Sequence, residues 1–142
     1  MKTNKKLKDI TPQFLEIEFI PSSSGLEVYI AMPLALFEDK VTGSLYVRGP
    51  VSEAKTLVDE FRGKVKDRIE MLIRKAKSQT EHKYHLMAES LARKKMGQSV
   101  SISFRERIDL LDKAEYEYSS AAVRLGIAMS TDAKYLDMIA NL

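Results

Sequence analysis

The sequence predicts an α+β fold: an N-terminal three-stranded antiparallel β-meander packed on a long amphipathic helix, followed by a C-terminal group of helices. Two observations support this order. Apolar and polar side chains alternate with a period of two between residues 13 and 48, whereas a 3.6-residue period dominates residues 52–142. We assign residues 1–11 to a basic flexible N-terminal tail and residues 12–142 to a single α+β domain.

Length and composition are typical of one globular domain. The 142 residues are 44% apolar, and the absence of cysteine excludes disulfides, thiol nucleophiles and cysteine-based metal sites. We recognise neither a secretory signal nor an apolar run long enough to cross a bilayer. We therefore expect a cytoplasmic protein that makes no membrane contact.

Three segments show the alternation of half-buried strands. The first covers residues 13–20, where apolar side chains alternate with glutamates. The second covers residues 26–32, and the serine-rich turn before it predicts an antiparallel pair. The third covers residues 44–48. Between the last two, residues 34–37 fit either a strand or a helical turn.

The longest regular pattern begins at Ser52, an expected N-cap residue, and extends to Lys77. Its apolar residues recur at steps of three or four and form one helix face: Ala54, Val58, Phe61, Val65, Ile69, Leu72 and Ala76. A capping-box pattern at residues 78–81 leaves two alternatives open. Either a new helix starts there and ends near residue 96, or one long helix covers residues 52–96.

A second capping box at residues 103–106 predicts another helix with one buried face. That face is formed by Ile108, Leu111, Ala114, Tyr118, Ala121, Ala122 and Leu125. We expect Gly126 to break this helix. A final short helix should then cover residues 131–142, with Ser130 or Thr131 as its N-cap residue.

Residues 119–136 resemble a helix-turn-helix unit. The resemblance rests on the small residue of the first helix, the turn glycine, two inward apolar positions and the start of the second helix, namely Ala122, Gly126, Leu125, Ile127 and Ser130-Thr131. Asp132 departs from the pattern, which has Val or Ile at this inward position. The resemblance implies contact with DNA, although the acidic side chains around this segment disfavour an approach to phosphates.

Basic residues concentrate in the middle of the chain, where residues 51–107 carry fourteen Lys or Arg and eight Asp or Glu. Clustered cations are typical of a phosphate-binding surface. We therefore expect a small non-enzymatic accessory or regulatory protein that binds nucleic acid, DNA or RNA, through its central helices. The expected contact residues are Arg62, Lys66, Arg74, Lys77, Arg93, Lys94 and Lys95.

Two alternatives remain open. The acidic sheet face and the C-terminal helices would suit a protein-interaction or assembly module, either an adaptor or a homodimer. A metal-dependent enzyme would use His82, His85 and Glu89, whose spacing places them on one helix face, together with a fourth ligand that the sequence does not identify. We recognise no catalytic triad, phosphate loop or dinucleotide motif, so we expect no enzymatic activity, no cofactor and no bound metal.

Overall fold

The computed structural model describes residues 11–142 and confirms the predicted α+β arrangement. The strands form one antiparallel sheet in chain order: β1 (Glu16–Ser22), β2 (Gly25–Pro33) and β3 (Ser44–Pro50). The helices of the described chain follow the sheet: α1 (Ala54–Lys95), α2 (Ile102–Thr131) and α3 (Ala133–Ala140). The predicted basic tail lies outside the described residues, except for Thr11.

Turn geometry and hydrophobic alternation explain the sheet. Ser22 of β1 pairs with Gly25 of β2, and Gly25 has a φ of +127°, which side-chain-bearing residues rarely adopt. β2 is the central strand, and its Val28, Ile30 and Met32 are fully buried, in agreement with the predicted alternation. The buried face of β2 therefore forms the sheet side of a hydrophobic core.

The strand boundaries differ from the prediction by one to three residues at several ends. β1 begins at Glu16, later than predicted, because the backbone N–H groups of residues 13–15 donate to the side chain of Asp132. Leu34–Leu36 form a 3₁₀ turn, so the helical-turn alternative for this segment is correct. The third strand extends through Pro50, beyond its predicted end.

Residue contacts divide the chain into two compact units. Among the described residues, the first unit consists of residues 11–68 together with Arg124–Leu142, and the second unit is Ile69–Val123. α1 and α2 each contribute residues to both units. The assignment of residues 12–142 to a single domain stays a prediction.

The sheet packs on the N-terminal part of α1 in the first unit. Val58, Phe61 and Val65 of the predicted apolar stripe are at most 1% exposed. Arg68 of the same helix makes a bidentate contact with Glu38 at 2.6 and 2.8 Å, which ties α1 to the segment between β2 and β3. The predicted stripe is thus a core face of the helix.

Asp132 is the one buried charged side chain among residues 11–142, with 1% of its surface exposed. Its carboxylate accepts hydrogen bonds from the backbone N–H groups of Gln13 (3.0 Å), Phe14 (2.7 Å) and Leu15 (3.0 Å). Burial removes water from a carboxylate, and these three donors replace it. The acid that departs from the helix-turn-helix pattern therefore anchors the segment leading into β1.

α1 runs without a break, so the alternative with a second helix starting near residue 79 is wrong. Thr80, inside the predicted capping box, donates its hydroxyl to the carbonyl oxygen of Ala76 at 3.0 Å and thus satisfies its hydrogen bonding within the helix. The helix begins at Ala54. Ser52, the predicted N-cap residue, lies in a 3₁₀ turn just before it.

Gly126 does not break α2, and the turn that a helix-turn-helix unit requires there is absent from this described segment. The helix continues to Thr131, whose hydroxyl donates to the carbonyl oxygen of Ile127 at 2.8 Å, so the N-cap predicted at residues 130–131 is wrong. Glycine costs a helix about 0.5–1 kcal/mol relative to alanine, less than the burial of one Leu side chain contributes. Leu125 is fully buried in this part of α2.

Truncation of Phe61 tests the core assignment. Phe61→Ala should lower the free energy of unfolding by about 3–5 kcal/mol because it leaves a cavity between helix and sheet. Urea unfolding followed by circular dichroism measures the change. The exposed neighbour Glu60 provides a control, since Glu60→Ala should change stability by about 0.5 kcal/mol or less. A loss well under about 1 kcal/mol for Phe61→Ala would contradict the core assignment.

Substitution of Asp132, with the exposed Asp137 as a control, tests whether the buried carboxylate stabilises the fold. Asp132→Asn should lower the free energy of unfolding by about 2–4 kcal/mol, because an amide has one acceptor oxygen and its NH₂ group faces a backbone donor. Asp137 also accepts a hydrogen bond, from Arg62, but it is 65% exposed, so Asp137→Asn should cost about 0–1 kcal/mol. Equal losses for the two variants in urea unfolding would show that the buried carboxylate has no special role.

Candidate functional site

Arg62 and Lys66 are the predicted contact residues that lie in the first unit. The guanidinium of Arg62 donates to the carboxylate of Asp137 at 2.7 Å, so a phosphate would have to compete with an acid of the same unit. Lys66 is exposed on the same helix. Arg62 is therefore engaged in a contact within the fold.

The other predicted contact residues lie in the second unit. Their positions on α1 place them at different angles around the helix axis. Arg74 and Lys77 differ by about 60° around the helix axis, and Arg93, Lys94 and Lys95 follow one another at about 100°. These cations do not form a stripe along one helix face. They are densest at the C-terminal end of α1.

Gly97 ends α1 with a Schellman motif. The N–H of Gln98 donates to the carbonyl oxygen of Arg93 at 2.9 Å, and the N–H of Gly97 donates to that of Lys94 at 3.1 Å. Gly97 has the positive φ, +75°, that this cap requires. The chain then reverses in a short loop, and α2 begins at Ile102, just before the predicted capping box.

The second unit is an antiparallel helical hairpin. The contacts that join its helices follow a simple order: Lys75 lies over the ring of Tyr118, Lys83 binds Asp112 and Glu115, and Arg93 lies over the ring of Phe104. The residue number of the partner on α2 falls as the number on α1 rises. This pairing brings Arg105 and Arg107 to the end of the hairpin that carries residues 93–95.

Residues 93–107, which we call the hairpin tip, contain five basic side chains and one acidic one. Arg93 has an acidic partner one turn earlier, Glu89, at 3.4 Å. Within the described chain, the remaining four tip cations form no ion pair: Lys94, Lys95, Arg105 and Arg107. Sequence reasoning missed the two arginines of α2, because only the antiparallel pairing of the helices places them at the same end of the hairpin as residues 93–95.

The two groups of tip cations differ in their effect on the helices. Residues 93–95 occupy the last turn of α1, where the helix macrodipole favours positive charge. Arg105 lies in the first turn of α2, where the macrodipole disfavours positive charge. Helix stability therefore does not account for Arg105, whereas an anionic ligand at the tip would offset its unfavourable position.

One side of the hairpin is apolar although it is exposed. A shallow groove there is lined by Ile69, Ile73, Ala76, Lys77, Thr80, Ser119, Ala122 and Val123. A second groove closer to the tip is lined by Tyr84, Met87, Ala88, Ser90, Leu91, Lys94 and Ile108. Steps of seven residues from Ile73 through Thr80 to Met87 keep both grooves on one side of α1. We call this side the apolar face.

His82 and His85 line a separate shallow groove with Arg107, Leu110 and other apolar residues. Among residues 11–142, no group of three or more His, Asp or Glu side chains is arranged to hold a metal ion. His82, His85 and Glu89 are therefore not brought together as a set of metal ligands. The metal-enzyme alternative therefore gains no support.

Lys83 bridges the two helices of the hairpin. Its Nζ donates to Oδ1 of Asp112 at 2.9 Å and to Oε2 of Glu115 at 3.1 Å, and its side chain is 18% exposed. These hydrogen bonds, first that to Asp112 and then that to Glu115, raise the pKa of Lys83 above its ordinary value of 10.5. The ammonium of Lys83 thus joins the two helices of the hairpin.

Comparison with known protein families, with curated proteins and with solved structures finds no match for this chain. Within residues 11–142, no helix combines the length and the apolar character needed to cross a bilayer. The function must therefore be inferred from the geometry and charge of the hairpin.

The bridge formed by Lys83 predicts a pH dependence. Because its folded-state pKa is raised, Lys83 contributes stability that is complete below about pH 10 and is lost as the pH rises through the folded-state pKa. Unfolding free energies measured between about pH 8 and 12 should therefore fall less steeply for Lys83→Met than for the wild type. Lys113→Met, at an exposed lysine of α2, should keep the wild-type slope. An NMR titration that gives Lys83 a pKa at or below 10.5 would contradict the bridge.

Proposed function

We propose that this protein is a small nucleic-acid-binding accessory protein that contacts phosphates through the hairpin tip. The observation that carries the proposal is the density of cations there, contributed by the end of one helix and the start of another. A nucleic-acid strand presents closely spaced phosphates, and their neutralisation by Lys and Arg releases condensed counterions. A compact cationic tip suits that chemistry.

Polar uncharged side chains near the cations support the proposal. Gln98, Ser99 and Ser101 lie in the loop, and the hydroxyl oxygens of Ser101 and Ser103 are 2.9 Å apart. Hydroxyl and amide donors are common phosphate contacts alongside Lys and Arg. Contacts of this kind carry no base information, so the proposed binding is largely independent of sequence and extends to DNA and RNA alike.

The proposed site is narrower than the one expected from the sequence. It keeps Lys94 and Lys95 and adds Arg105 and Arg107. Arg62 and Arg93 are left out because Asp137 and Glu89 already engage them, and Lys77 is left out because it lies several turns of α1 before the tip. Lys66 and Arg74 are exposed, but neither lies at the tip.

The assembly alternative is favoured by a different observation, the exposed apolar face. Phosphate binding at the tip does not explain why large apolar side chains remain accessible along the hairpin. A protein-interaction role is therefore a second candidate function.

Charge reversal at the tip tests the phosphate-binding proposal. In fluorescence anisotropy with labelled duplex DNA and duplex RNA of about 20 base pairs, Lys94→Glu/Lys95→Glu should weaken binding about tenfold or more at low salt. Loss of two phosphate contacts should also reduce the slope of log affinity against log salt by about 1.8. The effect should be similar for all duplex sequences.

The control is Lys55→Glu/Lys66→Glu, which changes the net charge equally and lies at exposed positions of the same helix. This variant should bind close to the wild-type level. Equal weakening by both double variants would indicate a response to net charge alone and would contradict a site at the tip. Absence of wild-type binding at about 20 mM salt, where the attraction is strongest, would refute the nucleic-acid function.

A further inference from the structure

We propose that the hairpin binds single-stranded nucleic acid in preference to duplex, with an unpaired base in the groove lined by His82, His85 and Arg107. This inference rests on the proposed function, because the phosphates of the same strand would lie at the hairpin tip. It names the class of nucleic acid, which the cations of the tip alone do not select. The residues that carry it all belong to the second unit.

The groove that contains the two histidines, which we call the histidine groove, combines rings, apolar side chains and a cation. Its volume is about 310 Å³, at the lower limit of pockets that hold small organic molecules. Leu86 at its base is 7% exposed, whereas Leu110 beside it is 66% exposed. A planar group such as a nucleobase can therefore cover apolar side chains there and keep its polar edge near water.

The imidazole rings of His82 and His85 are available to a ligand. Both side chains are exposed, and in the described part of the chain neither forms a hydrogen bond, an ion pair or a ring contact. They lie three residues apart on α1, so both border the groove from the same side of the helix. Histidine rings and arginine guanidinium groups are among the planar surfaces on which proteins stack unpaired bases.

Arg107 connects the histidine groove to the hairpin tip. It is one of the four tip cations that form no ion pair within residues 11–142, and it also lines the groove. A phosphate bound by Arg107 would hold the base of the same nucleotide beside the groove. Proteins that bind single strands combine these two elements, a positively charged path for the backbone and rings for the bases.

The acids near the groove leave positive charge in excess. Glu89 lies on the same side of α1 as the two histidines, and Arg93 engages its carboxylate at 3.4 Å. Glu106 is the one acid among residues 93–107. The described lining of the groove itself contains no carboxylate. A strand would therefore approach a region in which cations outnumber acids.

Exposed apolar side chains at the tip also favour contact with bases. Met96 follows the last residue of α1 and is 73% exposed, and Ile102, the first residue of α2, is 74% exposed. These are the highest exposed fractions of any large apolar side chains in residues 11–142. In a regular duplex the bases are stacked on one another, so these side chains gain contact with base faces only where a strand is unpaired.

The tyrosine on the apolar face is less suited to stacking than the histidines. Tyr84 lies in the groove of that face closer to the tip, and the ammonium of Lys83 lies 5.7 Å from the centre of its ring. One face of this ring is thus already in a cation–π contact. Because the histidine rings have no such partner, the histidine groove is the better site for a base.

Charge alone predicts the opposite preference. A duplex carries a higher density of phosphates than a single strand, so a site that contacts only phosphates binds the duplex at least as tightly. Base contacts in the histidine groove are available only to the single strand, and they reverse this order. The sign of the preference therefore separates this inference from phosphate binding by itself.

Fluorescence anisotropy with the full chain at about 20 mM salt tests the preference. A labelled single strand of about 12 thymidine nucleotides should bind about fivefold or more tightly than a duplex of the same length. It should bind about tenfold more tightly than an abasic strand of that length, which keeps the phosphates and lacks the bases. Equal affinity for the thymidine and abasic strands would overturn the base contact and leave phosphate binding intact. Failure of the duplex and of both strands to bind would refute the proposed function together with this inference.

Removal of the two rings tests the site. His82→Ala/His85→Ala should weaken binding of the thymidine strand about tenfold and leave duplex binding within about twofold of the wild type. Both side chains are exposed, so circular dichroism should show an unchanged fold. His82→Phe/His85→Phe keeps the ring faces and should restore most of the affinity. Equal weakening of strand and duplex by the alanine variant, or no recovery with phenylalanine, would overturn stacking in the groove.

Tyr84→Ala is the matched control, because it removes a ring that is 62% exposed from the apolar face of the same helix. It should bind the thymidine strand like the wild type. Weaker binding by Tyr84→Ala, with wild-type binding by the histidine variant, would overturn the assignment of the base to the histidine groove.

Vesicles containing phosphatidylserine test a different occupant, because anionic headgroups also attract cations beside exposed apolar side chains. Any binding of these vesicles should be the same for the wild type and for His82→Ala/His85→Ala. Vesicle binding that falls about tenfold in the histidine variant would identify a lipid as the occupant of the groove and overturn the proposal.

Discussion

The buried carboxylate of Asp132 is the contact on which the first unit depends. It lies between α2 and α3, and it accepts the backbone N–H groups of residues 13–15, which are more than a hundred positions away in the chain. A buried carboxylate without donors would be very costly, so each partner constrains the other. The contact determines where β1 begins and holds the two ends of the described chain within one unit.

The cations of the long helices divide into two classes according to their partners. Arg62 and Arg68 on α1 bind acids of the first unit, and Arg124 on α2 donates to the carbonyl oxygen of Phe37 at 2.7 Å. Arg62 joins α1 to α3, and Arg68 and Arg124 join α1 and α2 to the segment between β2 and β3. Lys83 has a similar role within the hairpin, because its ammonium joins the two helices. Cations without such partners are suited to an external anion, and four of them lie together at the hairpin tip, namely Lys94, Lys95, Arg105 and Arg107. This division is the physical basis for the proposed function.

The hairpin combines two chemically different surfaces, and each supports a separate inference. The tip carries concentrated positive charge, which attracts an anionic ligand over a long range. The side carries a row of apolar residues, which can bind another surface only by packing closely against it.

The sequence by itself determined the fold class, the strand order and the core face of α1, because alternation and 3.6-residue periodicity are local patterns that burial imposes on neighbouring residues. It could not determine helix continuity: the capping box at residues 78–81 and the glycine at position 126 carried local signals of helix ends, and burial along the helices outweighed both. It also could not show that Arg105 and Arg107 join residues 93–95. Only the tertiary structure decided these points and the role of Asp132, because a contact between residues far apart along the chain leaves no periodic pattern in the sequence.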